Sequence, residues 1–229
     1  MMRRYVGILL LLFSLLQADN WELTKESDGV AVYTRNVEGS PFLAFKGVTV
    51  VEGSVDALVA ILYDTPAAPA WLHQCRLAMT LEEVRFEENY VFQIYDLPFP
   101  VSDRQLILRS TLFFTENGVR VEMHEANTFC DEQQSDRCQK AKASDLIPIK
   151  RSRGHYLFIP QDEKRTKVIW QHHIEPGGSI PGWLANALVV DVPYNSLSDL
   201  RTLVKEEKYR SMTIEKLQRL WQKQYKAFH

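Results

Sequence analysis

Residues 166–203 read TKVIWQHHIEPGGSIPGWLANALVVDVPYNSLSDLRTL, and this stretch decides how the rest of the chain folds. It opens with an alternating pattern that predicts a strand with one face formed by Val168, Trp170, His172 and Ile174. Pro176-Gly177-Gly178 ends that strand. A helix is predicted next, with Ser179 as its N-cap and Pro181 in its first turn, where the missing N–H is harmless.

The predicted helix has almost no polar face, because it carries Trp183, Leu184, Ala185, Ala187, Leu188, Val189 and Val190. A helix that is apolar all round is buried on all sides or covers something apolar. It is too short to span a bilayer. We therefore expect it to close over a cavity built by the preceding strands, with an ordinary buried core helix as the alternative. Pro193 is expected to interrupt it before a second, amphipathic helix.

The composition is that of one globular domain: 229 residues, 45% hydrophobic and 24% charged. A net charge of −2 gives no sign of a nucleic-acid partner, which would require clustered Lys and Arg. The chain has no G-x-S-x-G nucleophile motif, no glycine-rich phosphate loop and no Cys or His pairs at zinc spacing. We expect no cofactor, no metal and no catalytic residue.

The first 18 residues have the form of a secretory signal peptide. Arg3 and Arg4 precede an apolar segment at residues 5–16, and Ala18 stands at the predicted cleavage site. An uncleaved anchor is the alternative, although the apolar segment is shorter than a spanning helix needs. We expect an exported protein, periplasmic or secreted, with three segments: signal peptide 1–18, one folded domain 19–210 and basic amphipathic C-terminal helix 211–229.

Export changes how the three cysteines are interpreted. In an oxidising compartment, Cys130 and Cys138 can form a disulfide around a short loop. That pairing leaves Cys75 as an odd thiol, which we expect to be buried and to behave as a small hydrophobic residue.

The rest of the chain reads mostly as strands, which with the flanking helices predicts an α+β fold. Strands are expected at residues 21–23, 30–35, 42–51, 77–85, 90–97, 104–114, 119–126, 155–160 and 167–174, and a helix at 55–64. Gly47 indicates a bulge or sharp bend. Residues 129–150 are polar and irregular, and are expected to form a loop. A basic amphipathic helix at 213–226 is expected to lie on an anionic membrane surface or to pack on its own domain.

Apolar side chains on the middle strands are candidates for the cavity wall, as inward-facing positions: Phe92, Ile94, Leu106, Leu108, Leu112, Val121 and Met123. His172 and His173 are neighbours in a strand and point to opposite faces, so at most one of them can enter a common site.

Three segments, in order along the chain, resemble a START domain, the lipid-transfer domain related to the steroidogenic acute regulatory protein. The first is Trp21 followed by DGVAVYTR at 28–35 and FKG at 45–47. The second is PFPVSDR at 98–104, and the third is PGGSIPGWLAN at 176–186. The resemblance runs from about residue 21 to residue 204.

The resemblance implies a helix-grip fold, in which a curved antiparallel sheet wraps a long C-terminal helix and a tunnel holds one lipid, such as a sterol or phospholipid. It implies non-catalytic binding and transfer in transient contact with membranes. We separately expect the chain to be a monomer. Carried onto this chain, the gate would consist of Pro98, Phe99, Pro100, Trp183, Leu184, Ala187 and Leu188. Arg109 and Glu125 are the nearest candidates for a charged pair in the tunnel, or are exposed strand residues.

Two other functions remain open. Related helix-grip cavities host cyclisation or hydration of hydrophobic substrates, which would require an acid or base with a shifted pKa in the cavity: His172, Glu125 or Asp96. The third alternative is a scaffold whose apolar helix fills the hollow completely.

Overall fold

A computed structural model describes residues 20–228 of the chain and the side chains of residues 20–223. The predicted signal peptide lies outside the described residues. The strands are β1 (Glu22–Ser27), β2 (Val30–Arg35), β3 (Ala44–Val51), β4 (Cys75–Arg85), β5 (Glu88–Tyr95), β6 (Arg104–Thr115), β7 (Gly118–Glu125), β8 (Ile147–Pro148), β9 (Arg151–Pro160) and β10 (Thr166–Glu175). The helices are α1 (Val55–Tyr63), a 3₁₀ helix (Thr65–Ala70), α2 (Asp136–Lys142), α3 (Gly182–Leu203), α4 (Glu207–Arg210) and α5 (Ile214–Phe228).

Nine of the strands form one antiparallel sheet in the order β1-β2-β3-β10-β9-β7-β6-β5-β4, and short β8 pairs in parallel with β6. The sheet curves around the C-terminal helix α3, which packs on β2 and β3. This is the helix-grip arrangement, and it confirms the predicted α+β class. The face of the sheet that is turned towards α3 is called the inner face below.

Helix α3 runs unbroken from Gly182 to Leu203, so the predicted interruption at Pro193 is wrong. Proline removes one backbone donor, but tertiary packing overrides that cost here. Pro193 itself is buried against β3, next to Leu197. The predicted N-cap is also wrong, because Pro181 holds that position and no side chain caps the helix.

Gly47 allows the close approach of α3 to the sheet. A Cβ atom at this position would lie 2.6 Å from Leu197 Cδ1 and 3.3 Å from Pro193 Cβ. The residue pairs in register with Val32 and Trp170, so the predicted bulge is absent. The glycine is therefore needed for packing rather than for strand geometry.

The outer face of the sheet carries a second apolar cluster around a disulfide between Cys130 and Cys138. Helix α2 lies within the segment predicted as a loop, and that prediction is wrong for its residues. The Ser135 hydroxyl accepts a hydrogen bond from the Cys138 N–H and thereby caps α2. The stacked rings of Tyr90 and Phe129 pack against the same cluster.

The C-terminal segment returns to α1 through short contacts. Tyr209 donates a hydrogen bond to Asp64, and the backbone N–H of Ile214 donates one to Asp56. Ile214 and Leu217 are half-buried against the core, so the first turn of α5 packs on the domain. Within residues 20–228, no helix is both long and apolar enough to cross a membrane.

Candidate functional site: an internal cavity

A cavity lies between the inner face of the sheet, the first half of α3 and the end of α1 with the following 3₁₀ helix. It offers about 220 Å³ to the centres of water-sized spheres. That is more than ten times the ~10–15 Å³ that one enclosed water needs on the same measure. The apolar helix predicted from residues 183–190 therefore does not fill the hollow that it covers.

The sheet supplies the floor of the cavity through inward side chains of six strands. Five of the seven positions predicted from strand alternation line it: Leu106, Leu108, Leu112, Val121 and Met123. Val91, Gln93 and Tyr95 of β5 complete that side. Helix α3 supplies the roof through Ala185, Asn186, Leu188, Val189 and Val192.

The inward assignment of Phe92 and Ile94 is wrong. Both side chains belong to the cluster on the outer face, with the disulfide and α2. Because neighbouring strand residues point to opposite faces, Val91, Gln93 and Tyr95 are the inward set. Segment 126–142 covers the outer face of β5 and makes it apolar as well, so alternation alone could not distinguish the two faces.

The charged candidates from the strands lie away from the cavity. Arg109 is half-exposed and its Nε lies 2.7 Å from the Glu88 carboxylate. Glu125 accepts a hydrogen bond from the backbone N–H of Ser152. Asp96 is exposed and pairs with Arg76. The structure therefore does not bring Arg109 and Glu125 together as a charged pair inside the tunnel, and the exposed alternative holds for Arg109.

The candidate gate residues divide into exposed, buried and lining positions. Pro98, Phe99, Pro100 and Trp183 are exposed, with Phe99 at 96% and Trp183 at 66% of full exposure. Leu184 is buried and Ala187 is half-buried, and neither lines the cavity. Leu188 lines it, as does Leu97 at the start of the proline-rich loop.

Arg104 links the loop before β6 to the turn before α3. This role was not predicted from the sequence. Its side chain is 1% exposed, its Nε donates to the Pro176 carbonyl at 2.8 Å, and one terminal nitrogen donates to the Gly177 carbonyl at 3.0 Å. The other terminal nitrogen donates to the carbonyl of Ser102. The guanidinium thus holds the turn before α3 against the loop before β6. The sequence does carry a signal for this role, because Arg104 is a charged residue at a position of β6 where strand alternation predicts an inward side chain.

His172 is the cavity histidine of the predicted pair, whereas His173 hydrogen-bonds Ser40 and is not among the lining residues. The Trp170 Nε1–H donates to His172 Nδ1 at 3.2 Å, and His172 Nε2 lies 2.8 Å from Ser152 Oγ. Burial, with smaller effects of nearby histidines, lowers the pKa of His172 to about 3. The ring is therefore neutral at physiological pH.

Gly154 makes room for that ring. It is the cross-strand partner of His172, and a Cβ atom there would lie 2.5 Å from His172 Cγ. Aromatic rings continue the wall beyond His172: Trp170 stacks on Tyr156 at 5.1 Å between centroids, and Tyr156 lies 6.4 Å from Trp71. The cavity is thus a largely apolar space with a few buried polar groups, which is the usual form of a small-molecule site.

The described residues include no group of three or more His, Cys, Asp or Glu side chains placed to hold a metal ion. Cys75 is buried and unpaired, and burial raises the pKa of its thiol to about 11, so it is not a reactive nucleophile at neutral pH. The arrangement can enclose an apolar molecule and offer it a small number of hydrogen bonds.

The family model of the START domain matches residues 10–209 of the chain. An uncharacterized protein of Pseudomonas aeruginosa is 32% identical over 190 residues, which cover 82% of this chain and 89% of that protein. The phosphatidylcholine transfer protein of Bos taurus is 27% identical over 188 residues, covering 79% of this chain and 82% of that protein.

Among solved structures, a STAR-related lipid transfer protein fragment from Xanthomonas axonopodis superposes with a TM-score of 0.71 at 31% identity, covering 82% of this chain and all of that fragment. Its fold agrees with the helix-grip architecture described above. This chain belongs to the START domain family.

Proposed function

We propose that the protein binds a single lipid in the internal cavity and transfers it between membranes without a chemical step. The observation that carries this proposal is the cavity itself, which lies unfilled beneath an apolar helix. Family membership supports lipid binding in general, and it does not name the ligand. Since one cavity encloses one ligand, we propose that a monomer is the functional unit.

The physical basis of transfer is desolvation. An acyl chain or sterol in water costs roughly 25 cal/mol for each Å² of exposed apolar area. The inner face of the sheet and the first half of α3 together remove that area from water during transit. An enclosed site must open for exchange, so we propose that the first half of α3 and the loop 97–101 move apart as the gate. Elements that open are drawn from the less stable parts of a fold.

Two exposed aromatic side chains support contact with a membrane at this gate. Phe99 and Trp183 lie on the two segments that Arg104 holds together. Aromatic residues are favoured at the interface between water and lipid. The exposed cations Lys216, Arg219 and Lys223 of α5 add a second, electrostatic contact to anionic headgroups. Unchanged vesicle binding after truncation at Ser211 would count against the role of α5.

A phospholipid is the first ligand to test, because the chain is similar to the phosphatidylcholine transfer protein. A sterol is the alternative ligand class. We also propose that the protein is exported, on the signal-peptide pattern of residues 1–18 and the disulfide between Cys130 and Cys138. Fractionation of the producing cells tests this: cytoplasmic recovery with both thiols free contradicts export.

A catalytic role is the second candidate, because His172 does line the cavity. Its geometry does not favour general-base chemistry. Nδ1 accepts the Trp170 N–H, so the proton of the neutral ring lies on Nε2, which faces Ser152. A nitrogen that carries the proton cannot take one from the serine hydroxyl, so the pair lacks the activation that a nucleophilic serine requires.

Native mass spectrometry tests the proposal. The full chain, purified without detergent, is expected to carry extra mass that organic extraction releases as one lipid class. Ala185→Trp fills the cavity and is expected to abolish that mass. Ala143→Trp places the same side chain at an exposed position at the end of α2, outside the cavity and the gate, and is the matched control. An apoprotein that takes up neither phospholipid nor sterol from vesicles would contradict the proposed function.

A further inference from the structure

Several polar groups that line the cavity already have protein partners. The Arg104 guanidinium donates to backbone carbonyls, Gln93 accepts from the Tyr95 hydroxyl, and Thr65 bonds Thr80. Glu88 is paired with Arg109. In these bonds Gln93 and Thr65 act as acceptors, so their own N–H and O–H groups remain additional donors in the wall.

Trp71 makes no side-chain hydrogen bond to the described residues. Its side chain lines the cavity, the residue is only 5% exposed, and its Nε1–H has no hydrogen-bond partner among the described residues. An indole N–H is a donor only. Buried donors are nearly always paired, because leaving one unpaired costs the full desolvation penalty of the group. The unpaired donor in a cavity wall therefore points to a partner that the cavity brings in.

Ser152 also offers an unengaged donor, and the reason lies in its neighbours. The neutral His172 ring accepts from Trp170 at Nδ1, so its Nε2–H donates to Ser152 Oγ. The serine oxygen thus acts as an acceptor, and its own O–H proton has no protein partner among the described residues. Ser152 is fully buried and lines the cavity, so water at the protein surface does not serve this proton.

We infer that Trp71 and Ser152 are specificity-determining donors, and that they select lipids that carry a carbonyl oxygen, such as an acyl ester, inside the cavity. This inference rests on the proposed lipid binding. Both groups can complete their hydrogen bonding only by donating, and a carbonyl only accepts. Asn89 Oδ1 also lines the cavity without a partner, but as an acceptor it does not compete for the same ligand oxygen.

The charge of the wall supports a neutral oxygen rather than a phosphate at these donors. Arg104 is the only Arg or Lys among the lining residues of the described chain, and four backbone carbonyls already accept hydrogen bonds from it. A phosphate buried beside Trp71 and Ser152 would find no unengaged cation to offset its desolvation.

The test compares two fluorescent phosphatidylcholines that share a headgroup and chain length, one with ester-linked and one with ether-linked chains. Ester lipid is expected to bind the full-length wild-type chain about tenfold or more tightly than ether lipid, since each neutral hydrogen bond contributes a few-fold to about tenfold. Trp71→Phe and Ser152→Ala are each expected to reduce ester binding about 3- to 10-fold and to change ether binding less.

Two controls make the same chemical changes outside the cavity. Trp21→Phe removes another unpartnered indole N–H, and Ser198→Ala removes a hydroxyl from α3. Both are expected to bind as wild type, and circular dichroism checks that every variant is folded. Equal binding of ester and ether lipids, or binding restricted to a sterol, overturns the inference and leaves lipid binding intact. Failure of wild type to bind any of these lipids overturns the proposed function instead.

Discussion

The two halves of α3 are one continuous helix in two different environments. In the second half, Leu197, Leu200 and Leu203 are 0%, 2% and 8% exposed. In the first half, Leu184 is the only buried residue between Gly182 and Val192. The second half is packed into the sheet, whereas the first half spans an open cavity. A helix with two such halves can stay anchored at one end while the other end moves.

Sequence sets this difference through small and large side chains on the sheet. Opposite the second half, Gly47 removes a side chain so that Leu197 contacts the strand backbone. Opposite the first half, the rings of Tyr156 and Trp170 stack on one another in the cavity wall and do not fill the cavity. The first half also begins without a side-chain cap, and the carbonyls before it are held by Arg104.

The largest expected effect compares matched leucines in the two halves. Leu197→Ala removes a fully buried side chain and is expected to lower the free energy of unfolding by about 2–5 kcal/mol. Leu188→Ala removes a half-buried side chain from the cavity roof and is expected to cost less than about 1 kcal/mol. Urea unfolding measures both changes. Equal costs for the two variants would show that the halves are packed alike.

The second prediction concerns the wall beneath the first half. The pKa of His172 is about 3 in the folded state, against ~6.5 in the unfolded chain. The unfolded state therefore binds one more proton between these values, and stability falls as the pH drops from 6.5 towards 3. The slope from this group is about 1.4 kcal/mol per pH unit, or about 2–3 kcal/mol between pH 6 and pH 4.

The measurement is urea unfolding across this pH range for wild type and His172→Gln, which does not titrate. Wild type is expected to lose more stability than the variant on acidification. Parallel curves for wild type and His172→Gln would mean that the ring is charged or solvated in the fold.

The smallest expected effect concerns the hydrogen bonds from Arg104 to the carbonyls that precede α3. Arg104→Met is similar in length but cannot donate to the carbonyls of Pro176 and Gly177, and hydrogen bonds from a charged group contribute about 1.5–3 kcal/mol. Global stability is expected to fall by about that amount, and lipid is expected to leave the cavity faster. Dissociation of a fluorescent lipid into excess vesicles measures the release. Release at the wild-type rate would show that Arg104 does not restrain the gate.

Strand alternation predicted most strands of the fold. It also predicted part of the cavity wall, since five of the seven positions assigned from it line the cavity. Leu106 and Leu108 were assigned inward correctly because Gln105 and Arg109 mark the opposite face of β6 as partly polar, although Ile107 between them is buried in the outer cluster. Phe92 and Ile94 failed because the disulfide-linked segment covers the outer face of β5, which makes both faces apolar. Local patterns carry no information about a segment that packs on the sheet from 30 or more residues away.

The polar groups of the cavity were less accessible to sequence reasoning. The position of Arg104 depends on the carbonyls before α3, and the hydrogen bonding of Ser152 depends on the His172 ring, both distant in the chain. Trp71 stands out only because its N–H has no acceptor among the described residues. Pro193 gave a wrong prediction of a helix break. Its local free-energy cost to the helix is real, but the stabilisation from tertiary packing is larger.

Hydrogen–deuterium exchange along α3, with and without bound lipid, tests the central claim most directly, since it reports local opening separately from global unfolding. Backbone amides of residues 182–192 are expected to exchange rapidly in the lipid-free protein and to become protected when lipid binds. Amides of residues 194–203 are expected to exchange slowly in both states. Equal exchange in the two halves, unchanged by lipid, would contradict a helix anchored at one end and gating a lipid cavity at the other.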